Sequence, residues 1–202
     1  TLAIVSERSS TETAAALWQA LEEGLILPTN QVYKFFQLEM VGPTGVEPAV
    51  NPTYRFLHDR IQQAAYSLIP ADHRATLHYQ IGQLLLHHFA PSTQEERIFE
   101  IVGHLNPGSS LIVQPAERLN LVRLNLIAGH KAIASTAYSA ALTYLNQGIS
   151  LLPEDCWVNH YDLTLELHHR RLDVAYLTSQ FADLENWGEL VLRQATSVLD
   201  SI

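Results

Sequence analysis

Two adjacent residues, His58 and Asp59, are the strongest candidates for a binding function in this chain. They follow a strand-like segment, residues 53–57, at the point where a helix is predicted to begin. An aspartate there stabilises the free amides and the dipole of the helix N-terminus, and a histidine could direct a ring nitrogen toward an anion. Simple helix capping explains the same pair, so an ordinary capped helix and an anion contact both stay open.

A second set of polar residues has the spacing of possible metal ligands. Asp162, Glu166 and His169 are predicted to share one face of a helix, because residues three and four apart are neighbours there. However, Arg170 offers Glu166 an ion pair, and a single helix cannot supply a closed tetrahedral set of ligands. A hidden metallohydrolase site would need side chains from several helices to converge. We therefore predict no metal site. Adjacent histidines point in different directions around a helix, so the pairs at 87–88 and 168–169 are expected to be poor metal chelators.

Motifs for nucleotide hydrolysis and phosphoryl transfer are absent from the sequence. It contains neither a glycine-rich phosphate loop ending in Lys-Ser/Thr nor a His-Arg-Asp kinase loop. The single cysteine, Cys156, has no evident base beside it and cannot form an internal disulfide, so we interpret it as a packing residue of a cytoplasmic protein. The chain is predicted to be no enzyme by itself.

Residues 1–70 are predicted to form a small winged-helix-like α+β unit. Ser9 and Glu12 have capping-box spacing, and apolar residues then recur on one helical face until Gly24 and Pro28. Strand patterns follow at residues 31–40 and 53–57. A second helix begins near His58 and ends before Pro70.

Residues 71–202 change texture and are predicted to contain only helices. Apolar stripes at 77–89 and 98–105 indicate an antiparallel pair, with Thr93 and Glu96 as a capping box for the second helix. Pro115 suits a first helical turn, and residues 119–134 are apolar on most sides. That segment is predicted to be a central, buried helix.

The best sign of a repeat lies between residues 122 and 155. Ala141, Leu145, Gly148 and Pro153 have the offsets of the second helix of a tetratricopeptide repeat, and Gly129 takes the small position of the first helix. Small residues allow close helix packing, and proline ends the second helix. We expect helices over 115–134 and 136–152 to be antiparallel, with Gly129 and Ala141 at their closest approach. A fainter second unit has one long helix from 157 to 177, a turn at 178–180 and another helix.

Composition narrows the class of partner. The formal net charge of −9 comes without a basic cluster, so a nucleic-acid partner is not expected. No apolar run approaches the roughly 20 residues of a membrane span. A free-standing winged-helix regulator that binds DNA remains the alternative. The first helix disfavours it, because this helix carries acidic residues and no Lys or Arg.

Residues 9–69 resemble the winged-helix end of STAND-class signal-transduction ATPases, and His58 and Asp59 match the nucleotide-sensing motif at the start of its last helix. The string from Phe56 to Tyr66 and the segment 124–138 are similar to large bacterial multidomain kinases that contain an AAA-type ATPase and helical repeats. Thr1 is not an initiator methionine, and we expect the chain to be one piece of such a protein.

The resemblance implies a non-catalytic regulatory and protein-interaction segment that couples nucleotide state to contacts of the helical repeats. In the intact parent, a kinase using ADP/ATP with Mg, it makes His58 the residue that contacts the β-phosphate of ADP. The implied partners are other domains of the same polypeptide and other proteins. The segment itself is expected to hold no cofactor.

Overall fold

The described part of the chain is mainly helical, with one small antiparallel sheet. A computed structural model describes residues 6, 8–29 and 53–194. The chain divides into two compact units, Thr1–Arg74 and Ala75–Ile202. The predicted change of texture after Pro70 lies near this division. Over the described ranges, no helix is both long and apolar enough for a bilayer crossing.

The first unit begins with helix α1, Ser10–Glu22, whose start is the predicted capping box. The hydroxyl oxygen of Ser9 accepts a hydrogen bond from the Glu12 amide at 3.2 Å, and the Glu12 carboxylate accepts one from the Ser9 amide at 3.0 Å. Gly24, with φ of 69°, ends the helix in a left-handed turn. The predicted helix start and the stop at Gly24 are both confirmed.

Two short strands, β1 (Ile26–Pro28) and β2 (Tyr54–Phe56), pair antiparallel in this unit, with Ile26 opposite Phe56. The strand predicted over 53–57 is confirmed, whereas β1 was not predicted. The strand predicted over 31–40 lies outside the described residues, so the winged-helix assignment stays a prediction. Helix α2, Asp59–Ser67, follows β2 and ends before Pro70 as expected.

Helix α3 spans Ala71–His88, and the second unit begins inside it, at Ala75. Helices α4 (Pro91–Glu96) and α5 (Ile98–Leu105) follow, and then a 3-10 turn at Ser109–Leu111. The predicted capping box of Thr93 and Glu96 is wrong. Both residues lie inside α4, because Pro91 occupies a first helical turn and starts a separate short helix there.

Helices α3 and α5 contact each other near the end of α5, and the antiparallel pairing expected from their apolar stripes stays a prediction. An added Cβ on Gly108, just beyond α5, would lie 2.8 Å from the Cβ of Tyr79, and one on Gly82 would meet Leu105. Gly82 allows this close approach, since it has no side chain of its own.

Helix α6, Pro115–Ala134, is the central helix of the second unit, as predicted. It packs antiparallel against α7, Tyr138–Leu151: the Nε of Arg118 donates to the carbonyl of Leu151 at 3.0 Å, and Gly129 faces Leu145. Eight residues of α6 are buried, in agreement with its apolar composition: Leu121, Val122, Leu124, Asn125, Leu126, Ala128, Gly129 and Ala132.

Three more helices follow in the described part of this unit: α8 (Cys156–Asn159), α9 (Tyr161–Leu177) and α10 (Phe181–Gln194). The single helix predicted from 157 to 177 is interrupted at His160, whose ψ of 41° is not helical. The break lets Trp157 stack on His168 with ring centroids 5.1 Å apart. In one continuous helix these residues would be about 16 Å apart along the axis.

Two helix ends share one kind of turn. Thr136 after α6 and Ser179 after α9 have φ of 57° and 58°, and their amides bond back to Ile133 and Tyr176. These are Schellman-type ends in which a side-chain-bearing residue takes the place usually held by glycine. The turn predicted at 178–180 is confirmed.

Candidate functional site

His58 lies at the junction between β2 and α2. Its backbone is extended, with φ of −141° and ψ of 147°, and its carbonyl accepts the amide of Ile61 at 2.9 Å. His58 is the N-cap residue of α2, yet its side chain makes no capping hydrogen bond. The imidazole is exposed. The His58 side chain therefore lies at a helix N-terminus without capping that helix.

Asp59 is the first residue of α2 rather than its N-cap, and it is exposed. Its carboxylate places negative charge in the first helical turn, which stabilises the helix dipole. The same charge would oppose an anion at that position. The junction can therefore present one imidazole to a phosphate, but it is no anion pocket by itself.

The residues of the predicted repeat join three helices. An added Cβ on Gly129 would lie 2.7 Å from Cδ2 of Leu145, and one on Gly148 would lie 3.0 Å from Cδ2 of Leu167 on α9. Ala141 and Leu145 are fully buried. The side chain that Gly129 accommodates is thus Leu145, one turn beyond the predicted Ala141. Pro153 follows α7, and its carbonyl accepts the amide of Cys156 at 3.1 Å.

The candidate metal ligands on α9 are engaged differently from the prediction. The carboxylate of Glu166 lies 3.2 Å from Nε2 of His130 on α6, and Arg170 pairs with Asp173 at 2.9 Å. The predicted ion pair between Glu166 and Arg170 is therefore wrong, because each found another partner. Among the residues that the structure describes, no group of three or more His, Cys, Asp or Glu side chains is placed to hold a metal ion. Cys156 is buried, as expected of a packing residue.

Aromatic and basic side chains cluster around the buried His168, which the sequence did not indicate. His168 is 3% exposed and lies between Trp157 and Trp187, with centroid distances of 5.1 and 5.2 Å. The Cζ atom of Arg171 lies 4.0 Å from the centroid of the Trp187 ring, and its Nε donates a hydrogen bond to Oδ1 of Asn146 at 2.6 Å. Burial, followed by the nearby Arg171 charge, lowers the pKa of His168 to about 4. A neutral imidazole therefore fills this site at pH 7.

The sequence also did not indicate a contact between His78 on α3 and His104 on α5. Their Nδ1 atoms are 3.1 Å apart. Burial and the neighbouring His78 lower the pKa of His104. Sequence spacing could not reveal this pair, because the two residues meet only when α3 and α5 pack.

Comparison with known proteins gives one informative similarity. The chain is 30% identical over 166 residues to hybrid signal transduction histidine kinase G of Dictyostelium discoideum. The match covers 70% of this chain, and it spans 5% of the length of that relative. No protein-family profile matches the chain, and no solved structure does. The chain is thus similar to a small part of a signal-transduction kinase.

Proposed function

We propose that this chain is a regulatory and protein-interaction segment, without a catalytic site of its own, within a larger signal-transduction kinase. The similarity to the Dictyostelium histidine kinase carries the proposal, since it covers 70% of this chain and so small a share of the relative. A segment of that kind modulates a catalytic domain that lies elsewhere in the polypeptide.

The helical unit, Ala75–Ile202, is proposed to be the part that contacts partners. Its helices α6, α7 and α9 pack through Gly129, Leu145, Gly148 and Leu167, and this supports an array of stacked helix pairs. Such arrays present extended surfaces to other domains or proteins. We further propose that the array is tetratricopeptide-like.

The first unit, Thr1–Arg74, is proposed to be the end of a nucleotide switch. Support comes from His58, whose exposed imidazole at the start of α2 makes no capping bond. In the whole protein it would contact the β-phosphate of ADP, with Mg and the remaining phosphate contacts supplied by other parts. Nucleotide exchange would then shift the population between closed and open forms.

The surface of α1 argues against the alternative of a DNA-binding regulator. Glu12, Glu22 and Glu23 are exposed along or just after this helix. Like charges would repel the phosphate backbone, whose binding requires clustered Lys and Arg.

The proposal is tested in the full polypeptide by measuring ATP-dependent autophosphorylation. Gly148→Leu should overpack the contact with Leu167 and change the regulation of phosphorylation while leaving a measurable basal rate. Gly103→Ala is the matched control, because a Cβ added there meets no atom within 4 Å. Equal regulation in both variants would count against the interaction role. ATP hydrolysis by the isolated chain would overturn the proposal altogether.

His58 has a separate test, because its role depends on nucleotide. His58→Ala should weaken ADP retention by the full polypeptide by roughly tenfold or more, the loss of one charge-assisted contact. Circular dichroism of the same variant should show an unchanged helix content. If ADP affinity is unchanged in a folded variant, His58 is only a boundary residue.

A further inference from the structure

The imidazoles of His78 on α3 and His104 on α5 lie close together, with their Nδ1 atoms facing each other. Their Nδ1 atoms are 3.1 Å apart, their ring centroids are 5.0 Å apart, and the rings are inclined by 38°. Both side chains are half-buried. Two neutral rings can form a hydrogen bond here only if one carries its proton on Nδ1 and the other does not. If neither Nδ1 carries a proton, the two nitrogen atoms can instead bind one shared electrophile.

We propose that His78 and His104 bind a divalent transition-metal ion of the Zn²⁺ type through their Nδ1 atoms, with water filling the other coordination positions. A zinc ion lies about 2.0 to 2.1 Å from an imidazole nitrogen. Two nitrogens separated by 3.1 Å then subtend an angle of about 100° at the ion, close to tetrahedral. The two rings therefore need no large movement to accept it.

The backbone on both sides of the pair is held in place. Tyr79 follows His78 and packs against Gly108, while Leu105 follows His104 and packs against Gly82. These contacts fix the separation of α3 and α5 beside the two rings. A site whose ligands are already positioned loses less side-chain entropy on binding, which partly offsets its small number of protein ligands.

Imidazole ligands favour zinc, copper and nickel over magnesium and calcium, which prefer oxygen. Two imidazoles make a weaker site than the three or four ligands of a structural zinc centre. The ion would nevertheless link two helices that are separate in sequence, so its binding should raise the thermal stability of the second unit.

The experiment titrates ZnCl₂ and NiCl₂ into the purified chain by calorimetry and repeats the thermal melts with each metal. We expect one ion per chain and a higher Tm, with no effect of MgCl₂. His78→Asn and His104→Asn should each weaken binding at least tenfold, since asparagine keeps a polar atom near the Nδ1 position but is a poor ligand. The double variant His87→Asn/His88→Asn alters the exposed neighbouring pair on α3 and should bind as the wild type does.

A spectroscopic measurement makes the ligand assignment specific. Electron paramagnetic resonance of bound Cu²⁺ should show two coordinated nitrogens in the wild type and one in His78→Asn. Circular dichroism establishes that each variant is folded. The proposal is overturned if the wild type binds none of these metals, or if His78→Asn binds with wild-type affinity and nitrogen count.

Discussion

The contact between Gly129 and Leu145 gives the most direct test of how α6 and α7 pack. In Gly129→Ala the new Cβ would lie 2.7 Å from Cδ2 and 2.9 Å from Cγ of Leu145. Carbon atoms in favourable contact are about 3.5 to 4.0 Å apart, so Leu145 must move. Leu145 is fully buried, which leaves it little space. Overpacking of this kind costs about 1 to 3 kcal/mol.

A matched variant separates that packing cost from helix propensity. Replacing glycine by alanine inside a helix gains roughly 0.5 to 1 kcal/mol. Gly103→Ala on α5 should show this gain alone, because its added Cβ meets no atom within 4 Å. Both positions belong to the second unit. The difference in unfolding free energy between the two variants therefore isolates the packing cost, about 1 to 3 kcal/mol.

The assay is urea unfolding followed by circular dichroism, with a double variant as the decisive control. In Gly129→Ala/Leu145→Ala the obstructing leucine is gone, so the added methyl group should no longer be penalised. The two changes should then be non-additive by about 1 kcal/mol or more. If Gly129→Ala is as stable as Gly103→Ala, or if the double variant is additive, the described packing of α6 against α7 is wrong.

Three further predictions concern single side chains of the second unit. The pKa of His168 is about 4 in the folded protein and 6.5 ordinarily, so the folded state favours the neutral imidazole. The resulting contribution to the unfolding free energy is complete above pH 6.5 and is lost as the pH falls toward 4. Urea unfolding should show a loss on the order of 3 kcal/mol over this range that is missing in His168→Gln. Thr136→Gly should raise the unfolding free energy by roughly 0.5 to 1 kcal/mol, since glycine accepts the left-handed turn without strain; an unchanged midpoint would contradict this. Asn125→Leu should cost about 1 to 3 kcal/mol by stranding the Asn106 amide, and Asn106→Leu/Asn125→Leu should recover part of it in the same assay.

Local signals in the sequence predicted the helices well. The capping box of Ser9 and the glycine at 24 act within one helical turn, so they mark both ends of α1 without any knowledge of the fold. The same is true of Pro115 at the start of α6. Thr93 and Glu96 failed as a local signal because Pro91, two residues earlier, starts a helix of its own.

Contacts between distant segments could not be predicted from spacing. The break at His160 allows Trp157 to stack on His168. Neither residue type, taken by itself, predicts this contact. Asn125 is a polar residue buried on α6, and it exchanges two hydrogen bonds with Asn106, at 2.8 and 2.9 Å. Such pairs become visible only after the helices are packed.

Several basic side chains of the second unit donate hydrogen bonds from one helix to another. Lys131 donates to the carbonyls of Glu95 and Glu96 at 3.0 and 2.9 Å, and Arg118 donates to that of Leu151. Arg171 reaches Asn146 on another helix. These cations therefore hold helices together, while the chain as a whole has 21 acidic and 12 basic residues. A partner of the proposed array would meet a surface with an acidic excess, so it should present basic groups and bind more weakly as salt rises.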